Sequence, residues 1–376
     1  AAVQRASRAA LVLDCGDQLL APGLVNAHAH LELSGFAGAL ERGADFAAWV
    51  RALVALRARR GVVQLARDAR VGAQRALETG TTTVIDIDST GATRRGIARH
   101  PLRVWCCREV LDAQDPARTS AIIAALRRRP RSSARRGTGL SPHAPFTVSP
   151  ALFAHLGKLA ATSRTPVTMH WSETRAELEW LRDGRGPLAA LLGPSSGRDG
   201  LTLLEDAGLL RAPLSLVHGN YPAPGEALRI ARVGAVVVHC PGSHAWFERE
   251  PFPWREYTRR GVTLALGTDS LASNEDLDLM REMKLARASL HGVTPAAVWD
   301  MATLGGARAL GQEGRIGVLV PGAHADWITC AVQARARSGL LDELTCGSAR
   351  VGGVWIAGRS VFTASLAVSA ARAPRS

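Results

Sequence analysis

Lysine is almost absent from this chain: among 46 basic residues only Lys158 and Lys284 are lysines, and the rest are arginines. Aromatic residues are scarce at 5%, with two tyrosines. The six cysteines (Cys15, Cys106, Cys107, Cys240, Cys330 and Cys346) contain no Cys-x-x-Cys pair. Scattered thiols in a chain of this size read as reduced side chains, which points to a cytoplasmic protein rather than a small disulfide scaffold. No run of 18 or more uncharged apolar residues occurs, so no membrane-spanning helix is expected. The opening stretch AAVQRASRAA lacks the basic–apolar–small order of a signal peptide. It also lacks a starting Met, and the expectation is a chain cut at its N-terminus.

What is present sets further bounds. The 376 residues are 47% hydrophobic and 21% charged, enough for a large domain plus a small one and too apolar for disorder. A formal charge of +13 invites a nucleic-acid reading. The arginines nevertheless run along the whole chain, in an Ala- and Gly-rich composition that matches GC-rich coding. The one dense cluster, Arg127, Arg128, Arg129, Arg131, Arg135 and Arg136, falls where a helix ends at Pro130 in a Ser-rich loop, and reads as a solvated surface. No nucleic-acid partner is expected.

Short apolar runs alternate with helix-like segments. The runs cover 24–31, 81–88, 103–110, 138–144, 166–171, 213–219, 234–240 and 261–269, and helical periodicity fills segments such as 45–60 and 149–162. A further helix is expected over 274–290, with Asn274 as its N-cap. Eight strand–helix units predict an α/β fold, a (β/α)8 barrel of the TIM type rather than an open sheet. The flanks differ, carrying the short β runs LVLDCG, GVLVPGAHADWITC and VGGVWIAGRSVF. Residues 1–21 and 314–376 are therefore read as a small β domain built from both chain ends, around a barrel over 22–313.

Histidines gather at the ends of these runs. His28 and His30 close the first, His170 the fifth, His218 the sixth and His239 the seventh, and Asp269 ends the eighth. The C-terminal strand ends of such a barrel converge on one face, where catalytic groups collect. Residues two apart share a strand face, so His28 and His30 can grip one ion. A lone His-x-His is equally a satisfied strand end; three further strand-end groups in barrel order make that reading poor.

The chain resembles the amidohydrolase superfamily, in its aminohydrolase branch of cytosine, guanine and adenosine-type deaminases and triazine hydrolases. The residues that carry the resemblance are Pro22 to His30 (PGLVNAHAH), His170 to Thr174 (HWSET), Val217 to Gly219 (VHG), His239 to Ser243 (HCPGS) and Leu266 to Asn274 (LGTDSLASN). Gly317 to Asp326 looks like the segment returning the chain to the small β domain.

The resemblance implies that His28, His30, His170 and Asp269 hold one divalent metal ion, zinc first, with iron or manganese as alternatives. It makes Glu173 the proton shuttle between the attacking water and the substrate, with His218 orienting that water or polarising the substrate and Asp269 able to accept its proton. A binuclear variant commonly needs a carboxylated lysine ending the fourth strand. Here that strand ends in Ser141-Pro142-His143 and Lys158 lies inside the next helix, so a mononuclear site is expected. The unrelated zinc deaminases with Cys-x-x-Cys are excluded.

Substrate contacts are expected from His143, in a segment similar to nucleoside-type deaminases, and from Glu32 and Glu109 at the same mouth. Trp171 and Trp246 are candidates for stacking on a heterocycle, although wall packing explains both equally well. His244 stands where many relatives carry asparagine, and His239 reads as a hydrogen-bonded structural residue. Ser270 and Ser273 shape the loop after Asp269. His100, His155, His291 and His324 receive no role.

The leading expectation is a metal-dependent aminohydrolase, an enzyme acting on carbon–nitrogen bonds other than peptide bonds, which replaces an exocyclic amine on an N-heterocycle with a carbonyl. Its substrate is a small heterocycle, and the nearest look is to adenosine-type and aminodeoxyfutalosine deaminases. An alternative keeps the site and changes the bond, to a cyclic amide, amidine or ring halide. A third reading is a catalytically silent relative serving in binding or assembly, against which the intact ligand set speaks. A homodimer is one assembly the resemblance allows. Only 27 residues precede His28, fewer than relatives carry, so residues 1–21 are expected to be an incomplete part of the β domain that leaves a sheet edge exposed.

Overall fold

Parallel strands covered on both faces read as continuous apolar runs rather than alternating ones, and Thr81–Asp88 is buried along its whole length. The computed structural model describes residues 13–43, 45–127, 132–163, 165–192, 195, 197–211, 213–334 and 336–364. Eight parallel strands follow one another in chain order: β2 (Leu24–Ala29), β3 (Thr81–Asp88), β4 (Arg103–Val110), β5 (Arg136–Pro142), β6 (Val167–Trp171), β7 (Leu214–His218), β8 (Val236–His239) and β9 (Thr263–Leu266). Helices lie between them. The ring closes where β2 meets the chain beyond β9, through a parallel bridge between Ala29 and Asp269 and amides of Thr268 and Asp269 that donate to the His28 carbonyl. The fold is a (β/α)8 barrel.

Side-chain parity sorts the strands into two cores. Val25, Ile85, Ile87, Cys107, Val217, Val236, Val238 and Ala265 fill the barrel interior, whereas Leu24, Val84, Val104, Leu140, Met169, Leu216, Val237 and Leu264 face the helices. The N-terminal end of the barrel is stoppered by the helix Leu304–Ala309. That helix packs so close that a Cβ on Gly305 would lie 2.3 Å from the Leu264 carbonyl oxygen, and one on Gly306 would lie 2.5 Å from a Val25 methyl. Only glycine permits this approach.

A separate antiparallel sheet has the order β1–β10–β11–β12, with β1 at Leu19–Pro22, β10 at Trp327–Ala331, β11 at Arg350–Ile356 and β12 at Arg359–Thr363. Both chain ends thus contribute to one sheet. The cross-strand pair Trp327 and Trp355 stacks at 3.8 Å between ring centroids. A buried Arg103–Asp326 ion pair ties the sheet to β4 of the barrel, and the second Asp326 oxygen also accepts the Ala357 amide.

Three local expectations are corrected. In the LVLDCG run, Leu13 to Gly16 form loop and turn, and the first strand begins at Leu19; residues 11 and 12 lie outside those described. The helix expected from Asn274 begins instead at Leu279, capped by Asp278, whose carboxylate accepts the Met280 amide. Asn274 is drawn away because its amide donates to the Thr268 carbonyl and the Glu282 carboxylate. In the arginine cluster Arg127 and Arg135 are exposed, but Arg136 turns inward and donates to the carbonyls of Leu102, Ile97 and His100. Arg128, Arg129 and Arg131 lie outside the described residues.

Candidate active site

Strict alternation along β2 would send His28 outward, since Val25 and Ala27 face the interior core. The register against β3 shifts between Asn26 and Ala29, and Ala29 joins the outer core instead. The Asn26 side chain fills the gap: its oxygen accepts the amides of His28 and Thr268, and its nitrogen donates to the Thr268 hydroxyl. This bulge re-aims both His28 and His30 into the barrel mouth. On β6 ordinary parity suffices, with Met169 and Trp171 outward and His170 inward.

Three residues at or beyond strand ends carry backbone strain. Ser172, His218 and Asp269 have φ of +51°, +74° and +56°, a region that costs a non-glycine residue about 1–3 kcal/mol. Ser172 directly follows β6, His218 ends β7, and Asp269 lies in the loop just beyond β9. On β7, Val217 already faces inward, so alternation would turn His218 out; its left-handed backbone brings it back. The Glu177 carboxylate anchors the strained turn by accepting the amides of Ser172 and Glu173.

The result is a cluster of imidazoles around one carboxylate. Asp269 Oδ1 lies 3.6 Å from His28 Nε2 and 3.5 Å from His30 Nε2. Its other oxygen accepts hydrogen bonds from Ser243 Oγ at 2.6 Å and Ser273 Oγ at 2.9 Å. His30 Nε2 and His170 Nε2 approach to 3.3 Å, and His170 is oriented by its Nδ1 contact of 2.9 Å with the His143 carbonyl. The sets His28–His30–Asp269, His28–His170–His218 and Glu109–His143–His170 each bring one ligand atom per residue within 4.8 Å of the others.

Electrostatics prepares these groups for a cation. Burial holds His28 and His143 down to about 4, and His30 and His218 to about 3, so all four rings are neutral near pH 7. Burial alone would raise the Asp269 carboxyl, but the histidines around it outweigh that and keep it well below its usual range. Burial likewise acts upward on Glu109, and His143, His30, His170 and the Ser89 hydroxyl bring it down to about 2. Both nitrogens of the buried His28 ring lack a hydrogen-bond partner. A neutral imidazole with an orphaned nitrogen, facing two more imidazoles and an ionised carboxylate, is the donor set a divalent transition metal takes.

Glu173 sits at the rim of the cluster. Its Oε2 lies 3.8 Å from His218 Nε2, and its Oε1 lies 3.7 Å from an Arg249 nitrogen. Burial raises its pKa, opposed by the Arg249 charge. His143 faces the cluster with its Nδ1 held 2.8 Å from Thr147 Oγ1. Glu32 is buried and engaged, accepting from Arg57 at 2.8 Å and from the Thr90 hydroxyl at 2.6 Å.

Trp171 is not brought into the mouth. One residue after the inward-facing His170 it must point outward, and its indole packs in the outer core beside Gly200 and Gly219. The expected substrate contact of Trp171 is therefore corrected to wall packing. His239 stacks on Phe252 at 4.0 Å, and its Nδ1 has no hydrogen-bond partner, so stacking replaces the expected hydrogen bond there. Sequence reasoning did not assign roles to Ser243, Asn26, Glu177 and Arg249. A Thr174-x-x-Glu177 capping pattern, with Thr174 Oγ1 accepting the Glu177 amide, was the one local signal for Glu177.

Comparison with known proteins agrees with this geometry. The model of the amidohydrolase family matches residues 19–361. An aminodeoxyfutalosine deaminase of Deinococcus radiodurans is 34% identical over 316 residues, 78% of this chain and 73% of that protein. A 5-methylthioadenosine/S-adenosylhomocysteine deaminase of Nitratidesulfovibrio vulgaris is 33% identical over 341 residues, 86% of this chain and 73% of that protein. Among solved structures, a zinc-bound adenosine deaminase of Xanthomonas campestris superposes with a TM-score of 0.78 at 29% identity, covering 92% of this chain and 81% of that one. A zinc complex of the atrazine chlorohydrolase of Arthrobacter aurescens reaches a TM-score of 0.80 at 19% identity, covering 92% of this chain and 84% of that one, a likeness of fold.

Proposed function

The chain belongs to the amidohydrolase family, and from that premise we propose that it is a metal-dependent aminohydrolase that removes an exocyclic amine from an N-heterocycle, an adenosine-type nucleoside or an aminodeoxyfutalosine-like compound, releasing ammonia. The observation that carries the reading is the buried group of neutral imidazoles and ionised Asp269 with Glu173 at its rim. Its relatives at 33–34% identity are an aminodeoxyfutalosine deaminase and a 5-methylthioadenosine/S-adenosylhomocysteine deaminase. Hydrolysis of a cyclic amide, amidine or ring halide fits less well, because the triazine hydrolases share the fold at only 19–20% identity.

His28, His30, His170 and Asp269 would hold one divalent ion, zinc being the ion bound by the 29%-identical adenosine deaminase. Bound there, such an ion lowers the pKa of water toward neutrality and polarises the substrate. Glu173 moves the proton: Oε2, on the His218 side, accepts it from the attacking water and returns it to the ring nitrogen or the departing amine. His218, on that same Oε2 side, orients the water. Ser243 and Ser273 hold Asp269 Oδ2, leaving Oδ1 toward His28 and His30. His143 and Glu109 contact the substrate from the β4–β5 side, and Glu32 supports that wall through Arg57 and Thr90.

We divide the chain into a barrel over 22–313 and a small β domain from 1–21 and 314–376. A cytoplasmic location is supported by six cysteines, all of them free. No helix of the described residues is long and apolar enough to cross a membrane. The partner is the small-molecule substrate, and a homodimer is the assembly the family resemblance allows; against a nucleic-acid partner, the dense arginine cluster contributes Arg136 to the interior.

The test is ammonia release by zinc-loaded protein across aminated purines, pyrimidines, nucleosides and aminodeoxyfutalosine. Release from a nucleoside-type amine supports the reading. Silence from folded protein carrying one metal ion overturns it in favour of amide or halide hydrolysis.

A further inference from the structure

Arg249 lies outside every motif that carried the family resemblance, yet its guanidinium is clamped beside Glu173. Its Cζ stands 4.8 Å from the centroid of the Phe247 ring and 5.3 Å from that of Phe46. These rings, with Trp49, form an aromatic cluster with centroids 5.2–6.0 Å apart. Trp49 in turn donates its indole N–H to the Ala272 carbonyl, in the loop after Asp269. The helix Phe46–Ala58 and the loops after β8 and β9 therefore meet to hold one cation over the turn that follows β6.

The arrangement leaves a donor unmet. Arg249 Nη2 is buried without a hydrogen-bond partner, and it lies 3.7 Å from Glu173 Oε1. A buried N–H left unpaired is costly, and hydrogen bonds between catalytic groups often close only when substrate enters. The Glu173 main chain is already fixed, its amide bonded to the Glu177 carboxylate and its carbonyl accepting from Asn220. The carboxylate itself is bracketed by two side chains, Arg249 on Oε1 and His218 on Oε2.

We propose that Arg249 is a positioning residue for Glu173: it engages Oε1, so that Oε2 is presented to the reacting water, and the aromatic clamp keeps the guanidinium in place. The proposal rests on the deaminase reading in taking Glu173 as the group that moves the proton. Arg249 acts through that carboxylate and makes no contact with the reacting atoms.

The experiment compares R249M, R249K and E173Q in the zinc-loaded full chain. R249M lowers kcat by about 10- to 100-fold with KM nearly unchanged, the pattern of an interaction made in the transition state. Zinc content stays at the wild-type level, and R249K recovers part of the rate. In the E173Q background R249M causes no further loss of the residual rate, because the group it acts through is gone. A raised KM with unchanged kcat, or an equal loss in both backgrounds, overturns the proposal. Infrared difference spectra against E173Q isolate the Glu173 carboxylate without turnover. Its stretch shifts in R249M if Arg249 engages it, and an unshifted band overturns the proposal even if R249M proves poorly active for other reasons. If wild-type protein releases no ammonia, the deaminase reading falls and this spectral comparison still decides the role of Arg249.

Discussion

The two ends of the barrel are built from the same eight strands by opposite means. At the N-terminal end Val25, Ile85 and Ala265 meet the helix Leu304–Ala309, and glycines bring backbone against backbone. At the C-terminal end, a few residues along the same strands, His28, His30, His170, His218 and Asp269 crowd together, and three non-glycine residues carry positive φ. One end gains stability from close packing. The other gives stability up by burying neutral histidines and straining its backbone, which is how a site is held ready for a cation. Perturbing each end separates the two designs.

The largest effect is expected from acid on the metal-free chain. His28, His30, His143 and His218 have folded pKa values of about 3–4 against an ordinary value of 6.5. Between pH 6.5 and 4 the unfolded chain therefore binds protons that the folded chain refuses. Stability falls with decreasing pH, by about 1.4 kcal/mol per pH unit for each histidine. Asp269, depressed below its ordinary value of 3.8, adds stability that is lost only below that point. Denaturant midpoints from pH 7 to 4 measure this, and a flat profile would show that the imidazoles are solvated. Zinc, binding the neutral rings, restores stability in the upper part of the window.

Next in size is E173Q, expected to slow turnover by about 10³-fold, in the range of a lost general base, while one metal ion per chain is retained. Turnover near the wild-type rate would remove Glu173 as the shuttle. At the closed end, G305A is expected to cost about 3 kcal/mol, because the added Cβ meets a backbone carbonyl that cannot swing aside. Calorimetry would show the lower Tm, and activity per folded molecule should be preserved. The smallest change is S172G. It relieves the positive φ and removes a buried hydroxyl without a partner, so a gain of about 1 kcal/mol is expected together with reduced kcat as Glu173 loosens. A variant both more stable and fully active would mean that the strain at Ser172 serves no purpose.

Some of the site could be read before any coordinates. Barrel strands appear as largely apolar runs, and β3, β7 and β8 end in Asp88, His218 and His239. His170 and Trp171 show the limit of that reading. Adjacent on β6, they must face opposite sides, so parity alone would have removed Trp171 from the mouth. Asn274 shows another limit. Its sequence context suits an N-cap, but the Thr268 carbonyl and Glu282 compete for the same side chain and win through burial.

By itself the sequence determined the eight-strand barrel order, the return of the C-terminal segment to a second sheet, and which histidines and which aspartate stand at strand ends. The barrel order follows from continuous apolar runs set between segments of period 3.6, signals that act over a few residues. Only the tertiary structure decided the bulge at Asn26 that turns His28 and His30 inward, the left-handed backbone at His218 and Asp269, the serines on Asp269 and the clamp that holds Arg249 over Glu173. The Asn26 and Ser243 contacts join residues far apart in the chain, 242 positions for Asn26 and Thr268 and 26 for Ser243 and Asp269. Such contacts leave no local period to read: they arise when strand ends converge and buried polar groups must find partners among whichever side chains arrive there.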